Sequence, residues 1–164
     1  METPRFAVVL SGCGVFDGSE IHEAVCALLA IDEAGCAYQC FAPNTWQAKT
    51  VDHFTGEASA IAGDADNRNV LAESARIARG NILDLSEFNP KDFDAIIFPG
   101  GFGAAMNWSN FAVRGPACEV NEEVERALNA SYEAGIVIGA MCIAPTVVAR
   151  VLGKHKVKVT VGND

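Results

Sequence analysis

Residues 136–145 read IVIGAMCIAP, and this stretch decides the class of fold. An unbroken apolar run of this kind is typical of a strand that is covered on both faces of a parallel sheet. The run delivers Cys142 where the strand gives way to a helix, and Pro145 then takes the first-turn position that proline prefers. We therefore predict a buried strand over residues 136–140, a sharp bend, and a helix that ends near Gly153.

Other apolar runs, each bounded by glycine, proline or aspartate, predict the remaining strands. They cover residues 6–10, 37–41, 95–98 and 157–161. Helical spacing of apolar residues predicts helices over residues 19–34, 69–78 and 121–134. Asp17 and Ser19 are both plausible caps for the first helix. Because alternating strands and helices form right-handed crossover units, we expect an α/β fold: a flavodoxin-like three-layer sandwich with a mostly parallel sheet and helices on both faces.

The composition narrows the class of protein. The chain has 164 residues, 50% of them hydrophobic, and its 12 basic and 21 acidic side chains give a net charge of −9. A chain of this length buries roughly two thirds of its unfolded surface in one core, so we expect a single domain over residues 1–164. The negative charge disfavours nucleic acid and membrane surfaces as partners. With no spanning segment and no signal peptide evident, we expect a cytoplasmic protein.

The cysteines do not suggest a disulfide framework or a metal site. There are six of them, and they form neither a CxxC pair nor a Cys/His cluster at zinc spacing. A chain this long and apolar has no need of disulfides. We therefore expect reduced thiols, most of them small core residues.

Unusual residues occur in three loops that follow predicted strands. In an open α/β sheet, ligands bind at the carboxyl ends of the strands. SGCGVFDGSEIHE begins at Ser11, PGGFGAAMN begins at Pro99, and AMCIAP contains Cys142. A thiol beside the N-terminus of a helix is favoured as the thiolate. Cys142 is therefore a candidate nucleophile, and a buried core thiol is the alternative.

The other two loops offer partners for such a thiol. The glycines of PGGFG allow close approach of main chain to a ligand and could point amide donors at an oxyanion, although plain turns often have this composition. Glu20 and Glu23 open the first helix and lie on neighbouring turns of one face. Each carboxylate is either a helix cap or a proton shuttle for the thiol. We interpret His53 and His155 as surface residues, and residues 45–67 as a surface excursion with a short hairpin.

Taken together, these segments resemble the ThiJ/PfpI superfamily, the class I glutamine-amidotransferase-like proteins. More narrowly, the chain resembles the ElbB branch, the isoprenoid-biosynthesis or enhancing-lycopene-biosynthesis proteins with glyoxalase-like assignment, which include mitochondrial ES-type relatives. The segments that carry the resemblance span nearly the whole chain: LSGCGVFDGSEIHEA (10–24), CFAP (40–43), TGE (55–57), RNVLAESARIARG (68–80), PGGFGAAMNWSNFA (99–112) and MCIAP (141–145).

The resemblance implies a site and a reaction. The family's nucleophilic cysteine falls on Cys142, and the glutamate that hydrogen-bonds it falls on Glu23, with Glu20 as the alternative. The oxyanion donors are the amides of Gly101 and Ile143, with Gly100 beside them. The implied activity is a glyoxalase that converts methylglyoxal or glyoxal with water to lactate or glycolate. The resemblance further implies no cofactor, no metal, a small dicarbonyl substrate, a homodimer and, in a eukaryote, a mitochondrial location.

Two features depart from the family's pattern. Several members have a histidine at the end of the strand after the cysteine helix, whereas Val161, Gly162 and Asn163 stand there in this chain. This weakens the case for an amidotransferase-type domain, which we keep as a third hypothesis behind a non-catalytic redox-sensing or regulatory protein. Related chains also continue with further sheet and helix, so we expect this chain to be truncated relative to the family.

Overall fold

The structure, a computed structural model, describes residues 3–58 and 68–160. Its five strands are β1 (Arg5–Val9), β2 (Ala37–Ala42), β3 (Ile82–Asp84), β4 (Ala95–Phe98) and β5 (Val137–Ala140). They form one sheet in the order β3-β2-β1-β4-β5, and every pair of neighbours is parallel. The predicted α/β fold is confirmed.

The sheet has a flavodoxin-like strand order with one further strand, β3, at its edge. Without the short edge strand β3, the remaining strands read 2-1-3-4 when renumbered, as the flavodoxin order begins. The sequence did not predict β3, because three residues are too few to show a periodic pattern. The order reverses beside β1, and a reversal of this kind opens a crevice at the carboxyl ends of the strands.

The described part of the chain contains six α-helices. They are α1 (Ile21–Glu33), α2 (Val70–Ala78), α3 (Phe102–Met106), α4 (Phe111–Arg114), α5 (Glu122–Ala134) and α6 (Pro145–Leu152). The four longer helices match the predicted ones closely. The short helices α3 and α4 were not predicted, since α3 begins within the glycine-rich PGGFG loop.

The cap of α1 differs from both predicted candidates. Glu20 is the capping residue, and its Oε2 accepts the N–H of Glu23 at 2.7 Å. The predicted caps are engaged elsewhere in the loop: Asp17 Oδ2 accepts the N–H of Val51 at 2.8 Å, and Ser19 Oγ accepts the N–H of Ser11 at 2.8 Å. Since their oxygens are already bonded, the next acidic side chain caps the helix.

The predicted strand over residues 157–161 is wrong for the part that the structure describes. Residues 157–160 belong to no strand, and Val161 lies outside the described residues. After α6 the chain makes a short 3-10 turn, and Lys156 then adopts a left-handed conformation with φ 58°. A segment with an alternating pattern forms a strand only when a neighbouring strand pairs with it. This segment pairs with none of the described strands.

Helices cover the sheet on both faces. On one face, α1 and α2 bury a core that includes Val8, Leu28, Cys40 and Val70. On the other face, α5 and α6 pack over a larger core that includes Phe98 and Trp108. No helix within the described ranges is long and apolar enough to cross a membrane.

The excursion predicted over residues 45–67 is described only as far as Ala58. That part is irregular, and its antiparallel pairing consists of isolated bridges, Trp46 with Asn69 and Val51 with Ala58. The rest of the predicted excursion, residues 59–67, lies outside the described residues.

Candidate functional site

The loops after β1, β4 and β5 meet at the carboxyl edge of the sheet. Main-chain bonds join the first two, because the N–H of Glu20 donates to the carbonyl of Gly100 at 2.9 Å and the N–H of Gly103 donates to that of Gly18 at 2.9 Å. The third loop carries Cys142 and is anchored where Met141 donates to the carbonyl of Phe98 at 3.0 Å. These bonds fix the relative positions of the candidate residues.

Cys142 occupies a strained bend between β5 and α6. Its φ is 55°, in the left-handed region that side chains other than glycine and asparagine rarely adopt. The other described non-glycine residues with positive φ, Arg79 and Lys156, lie at the ends of helical segments. Only Cys142 has this geometry between a strand and a helix, where it turns the side chain outward. The thiol residue is exposed rather than buried in the core.

Gly100 separates Cys142 from Glu23. The N–H of Gly100 donates to Glu23 Oε2 at 2.7 Å. A Cβ at position 100 would lie 2.6 Å from that same oxygen and would also overlap the Cβ of Cys142. The thiol side chain and the carboxylate therefore flank one small space, and a glycine is needed to keep it open. The structure shows Glu23 bonded to Gly100 rather than to the thiol.

The two candidate glutamates differ in how their oxygens are used. Both oxygens of Glu20 are occupied, Oε1 by Nδ1 of His22 at 2.9 Å and Oε2 by the N–H of Glu23. The hydrogen bond from His22, together with that from the Glu23 amide, holds the pKa of Glu20 below its usual value. Glu23, by contrast, has no hydrogen-bond partner at Oε1 among the described residues. Geometry therefore gives Glu20 the role of a cap and leaves one Glu23 oxygen available.

The residues whose amides the resemblance implies as oxyanion donors directly follow the residues at this space, Gly101 after Gly100 and Ile143 after Cys142. Gly101 has φ 99°, and a Cβ there would overlap the amide nitrogen of Glu20 and the carbonyl oxygen of Gly18. Ile143 follows Cys142 in the turn that leads into α6. Within residues 3–58 and 68–160, the N–H groups of Gly101 and Ile143 have no acceptor. Unpaired donors of this kind can receive a negatively charged oxygen.

A buried polar clamp behind the site was missed by sequence reasoning. The side-chain amide of Asn107 donates to the carbonyls of Ser11 and Asp17 at 2.8 Å each, and its Oδ1 accepts the N–H of Ala48 at 2.9 Å. Gln47 donates to the same Asp17 carbonyl at 2.8 Å. The clamp holds the β1–α1 loop, and the only signal for it was a polar residue directly after an apolar FGAAM segment.

The structure also tests two predictions about other residues, and it revises the first of them. Most of the cysteines are not core residues: only Cys40 and Cys118 are buried, whereas Cys26 is exposed on α1. Burial raises the pKa of Cys40 to about 11. His53 is exposed, as predicted, and it also accepts the N–H of Phe16 at Nε2, at 3.2 Å, and contacts the Val51 carbonyl at Nδ1.

The predicted site residues fall into two groups. The structure brings Cys142, Glu23, Gly100 and Gly101 together, and Ile143 adjoins them. Glu20 is nearby but fully bonded. The positions where a further histidine was expected, Val161 to Asn163, lie outside the described residues. Among the side chains that are described, no group of three or more could hold a metal ion.

Comparison with known proteins supports a specific assignment. The human protein named glutamine amidotransferase-like class 1 domain-containing protein 3, mitochondrial, is 52% identical over 160 residues, covering 98% of this chain and 58% of that protein. The crystal structure of an isoprenoid biosynthesis protein with amidotransferase-like domain from Ehrlichia chaffeensis is 41% identical, with a TM-score of 0.84, and the match covers 92% of this chain and 69% of that one. No family model matches the chain.

A more distant structure shares the fold alone. The two-domain protein with DJ-1/ThiJ/PfpI-like and ferritin-like domains from Anabaena variabilis is 15% identical, with a TM-score of 0.54 over 91% of this chain and 32% of that one. Fold and site together define an α/β protein with a cysteine at a strand-to-helix bend. The chain belongs to the family of class I glutamine-amidotransferase-like proteins. It spans 58% of the length of the human relative.

Proposed function

We propose that the protein is a glutathione-independent, glyoxalase-like enzyme that acts on small dicarbonyl compounds through Cys142. The observation that supports this most strongly is the arrangement around Gly100, where the Cβ of Cys142, an exposed residue held in a left-handed bend, and Oε2 of Glu23 both border the position that a side chain would take. A nucleophile beside a group that can move a proton is the arrangement that this reaction requires.

The reaction can be written with these residues alone. The thiolate of Cys142 adds to the aldehyde carbon of methylglyoxal, and the resulting oxyanion is received by the free amides of Gly101 and Ile143. Glu23, through its unbonded Oε1, removes the proton from this carbon to give an enediol and returns it to the neighbouring carbon. The product is a thioester. Water then cleaves the thioester, releases lactate and restores the thiol, so methylglyoxal and water together account for all atoms of lactate.

Geometry favours Glu23 over Glu20 as the proton carrier. Oε2 of Glu23 is fixed by the Gly100 amide at 2.7 Å, which orients the carboxylate while leaving its other oxygen free. Glu20 would have to give up its bond to His22 or its bond to the Glu23 amide before it could act. Exchange of Glu20 should therefore lower stability more than it lowers turnover.

Lactate formation from methylglyoxal tests the proposal. The wild-type protein should produce lactate, Cys142→Ser should abolish production, and Glu23→Gln should lower it by at least 10²-fold, as loss of a general base commonly does. Cys26→Ser is the matched control, because this thiol is exposed on α1 but outside the shared space. Retained turnover in Cys142→Ser would refute the nucleophile, and an inert wild type toward both methylglyoxal and glyoxal would refute the activity.

A redox-sensing role is the second candidate, and the exposure of Cys142 favours it. An accessible thiol is the form that peroxide oxidises to sulfenic and then sulfinic acid. The free amides of Gly101 and Ile143 could hold the sulfinate oxygens. Mass spectrometry after peroxide treatment should show added oxygen at Cys142 before Cys26, in a protein that is inert toward dicarbonyls. Equal oxidation of both exposed thiols would rule this role out.

We further propose a cytoplasmic or mitochondrial location. The name of the human relative describes that protein as mitochondrial. Free thiols at all six cysteines are compatible with a reducing compartment. Fractionation of the source cells, followed by immunodetection, tests this location directly.

A further inference from the structure

An apolar groove runs beside α1 and ends at the candidate site. Its volume is about 600 Å³, within the range of about 300–1,000 Å³ that is usual for small-molecule sites. Glu23, Ala27 and Ile31 line one side of it at intervals of four residues, so they form a row along the helix. From the first to the last of them the helix rises by about 12 Å. The groove is therefore longer than a three-carbon substrate requires.

The floor of the groove comes from the sheet. Phe6 of β1 and Ile97 of β4 line it. Ile97 lies over Gly139 of β5, where a Cβ would be only 2.6 Å from Ile97 Cδ1. The helices described on this face, α1 and α2, have their main sheet contacts with β2 and β3. Within the described ranges, the part of the face beside β4 is therefore left open to a ligand.

Polar groups gather at the end of the groove next to Cys142. His22 and Glu23 lie there, together with Met141, which precedes Cys142 in the chain. His22 is bonded through Nδ1 to the carboxylate that caps α1, and Glu23 is bonded through Oε2 to the amide of Gly100. Further along, the lining is almost wholly apolar. A hydrocarbon chain can bind there, whereas a polar group would lose its bonds to water without replacement.

We propose that this groove binds the alkyl chain of the substrate, and that the protein acts on 2-oxoaldehydes with an unbranched alkyl chain in preference to methylglyoxal. The inference rests on the proposed function for its reaction and adds the class of substrate. It is supported by the continuity of the groove with the candidate site, because Glu23 belongs to both.

The proposed reaction directs the chain towards the groove. The thiolate of Cys142 adds to the aldehyde carbon, and Glu23 returns the proton to the neighbouring keto carbon. In a 2-oxoaldehyde this keto carbon is the one that bears the alkyl chain. The chain therefore leaves the reacting atoms on the side of Glu23, where the groove begins. One 2-oxoaldehyde and one water give one 2-hydroxy acid of the same chain length, and the thiol is restored.

The far end of the groove favours a chain that ends in a methyl group. Asp32 and Glu33 lie exposed beyond Ile31 at the C-terminal end of α1, and the last turn of this helix has no basic residue. The negative end of the helix dipole adds to these two charges. A chain that carries a carboxylate at its far end should therefore bind less well than an uncharged chain of equal length.

Labelling of Cys142 tests the groove without requiring turnover. N-alkyl iodoacetamides with methyl, butyl and octyl chains are applied to the full chain, and peptide mass spectrometry gives the rate at Cys142 relative to the rate with free cysteine. This ratio should rise by about 2–4-fold for each methylene that the groove buries. An octyl chain that ends in a carboxylate should lose most of the gain. A ratio that does not change with chain length would overturn the inference.

Two substitutions on α1 locate the effect. Ala27→Phe places a ring in the groove, and the octyl reagent should then react with Cys142 no faster than the methyl reagent. Ala30→Phe is the matched control, because Ala30 is exposed on the same helix outside the groove, and this variant should keep the gain. Melting curves check that both variants are folded. An equal gain in both would overturn the inference, and if Ala27→Phe does not fold, the wild-type series decides.

Turnover of a matching series of 2-oxoaldehydes separates this inference from the proposed function. In an active enzyme, kcat/KM for formation of the 2-hydroxy acid should rise from methylglyoxal to 2-oxooctanal, and Ala27→Phe should remove the rise. Activity that is flat with chain length would overturn the inference and leave the proposed function standing. Chain-dependent labelling of Cys142 in a protein that is inert toward every 2-oxoaldehyde would refute the proposed function and still support the groove as a site for an alkyl chain.

Discussion

Gly100 donates its N–H to Oε2 of Glu23 at 2.7 Å, across 77 positions of sequence. A hydrogen bond from an amide to a carboxylate is stronger than one between neutral groups. This bond orients a carboxylate that lies beside Gly100, on which the side chain of Cys142 also borders. The candidate chemistry therefore depends on a residue that has no side chain.

Replacing Gly100 with alanine should perturb both the fold and the site. The new Cβ would overlap Cys142 and Glu23, and overpacking of this kind costs about 1–3 kcal/mol in the free energy of unfolding. Gly153→Ala is the matched control, because nothing lies within 4 Å of a Cβ there and φ is −56°. Urea denaturation measures both variants. An equal loss of stability in Gly100→Ala and Gly153→Ala would mean that position 100 has room for a methyl group.

Stability should depend on pH through Glu20. Hydrogen bonds from His22 and the Glu23 amide hold its folded pKa below the value in the unfolded chain. The folded state thus binds this proton less tightly, so the stabilisation is complete above the unfolded pKa of about 4.3 and is lost as pH falls through the folded pKa.

The Glu20→Ala variant makes this dependence measurable. It should be about 1 kcal/mol less stable than wild type near neutral pH, the usual value of a helix cap, and the difference should shrink in acid below the folded pKa. Thermal melts over a pH series provide the data. Glu57→Ala, at an exposed loop position, should show no such trend. A difference that stays constant into acid would argue against capping by the carboxylate.

Native thiols should react with an alkylating agent in an order set by burial. Cys142 and Cys26 are exposed and should be modified first, whereas Cys40 and Cys118 are fully buried and should react only after unfolding. Burial raises the pKa of Cys40 to about 11 and also raises that of Cys13, which lowers their thiolate fractions. Peptide mass spectrometry over time measures the order. Early modification of Cys40 would contradict the described core.

Removing the amide of Asn107 should destabilise the loop that carries Glu20. Asn107→Ala would remove the partner of the Ser11 carbonyl and of the Ala48 N–H, while the Asp17 carbonyl keeps its bond from Gln47, for a loss of about 2–4 kcal/mol in the free energy of unfolding. Asn129→Ala, which removes one bond on the surface of α5, should change stability by less than about 0.5 kcal/mol. Similar losses in both variants, measured by urea denaturation, would disprove the clamp.

Local sequence patterns predicted the longer helices and every described strand except the short edge strand β3. Residues 6–10 and 95–98 are apolar because both faces of β1 and β4 are covered. The burial of these strands can therefore be read from their own residues. The alternating segment 157–160 has an equally suggestive pattern, yet it lacks a pairing partner among the described strands. A sequence pattern shows what a segment can do and not which neighbour it meets.

Prediction of the candidate site was limited in a similar way. Cys142 and the PGGFG glycines are recognisable because strand-to-helix junctions are local features. The resemblance placed the glutamate at Glu23, but the residues alone could not separate it from Glu20, since residues three apart share a helix face and only their bonds distinguish them. The hydrogen bonds of Asn107 could not be predicted from the sequence, because its acceptors lie 96 and 90 positions away in the chain.

The left-handed backbone at Cys142 lowers the stability of the fold, and the same residue carries the thiol on which the proposed reaction depends. Holding a cysteine at φ 55° costs on the order of 1–3 kcal/mol, and glycine would relieve much of this strain. A library randomised at position 142 and sorted for heat resistance should therefore enrich glycine, and the same library sorted for dicarbonyl tolerance in growing cells should discard it.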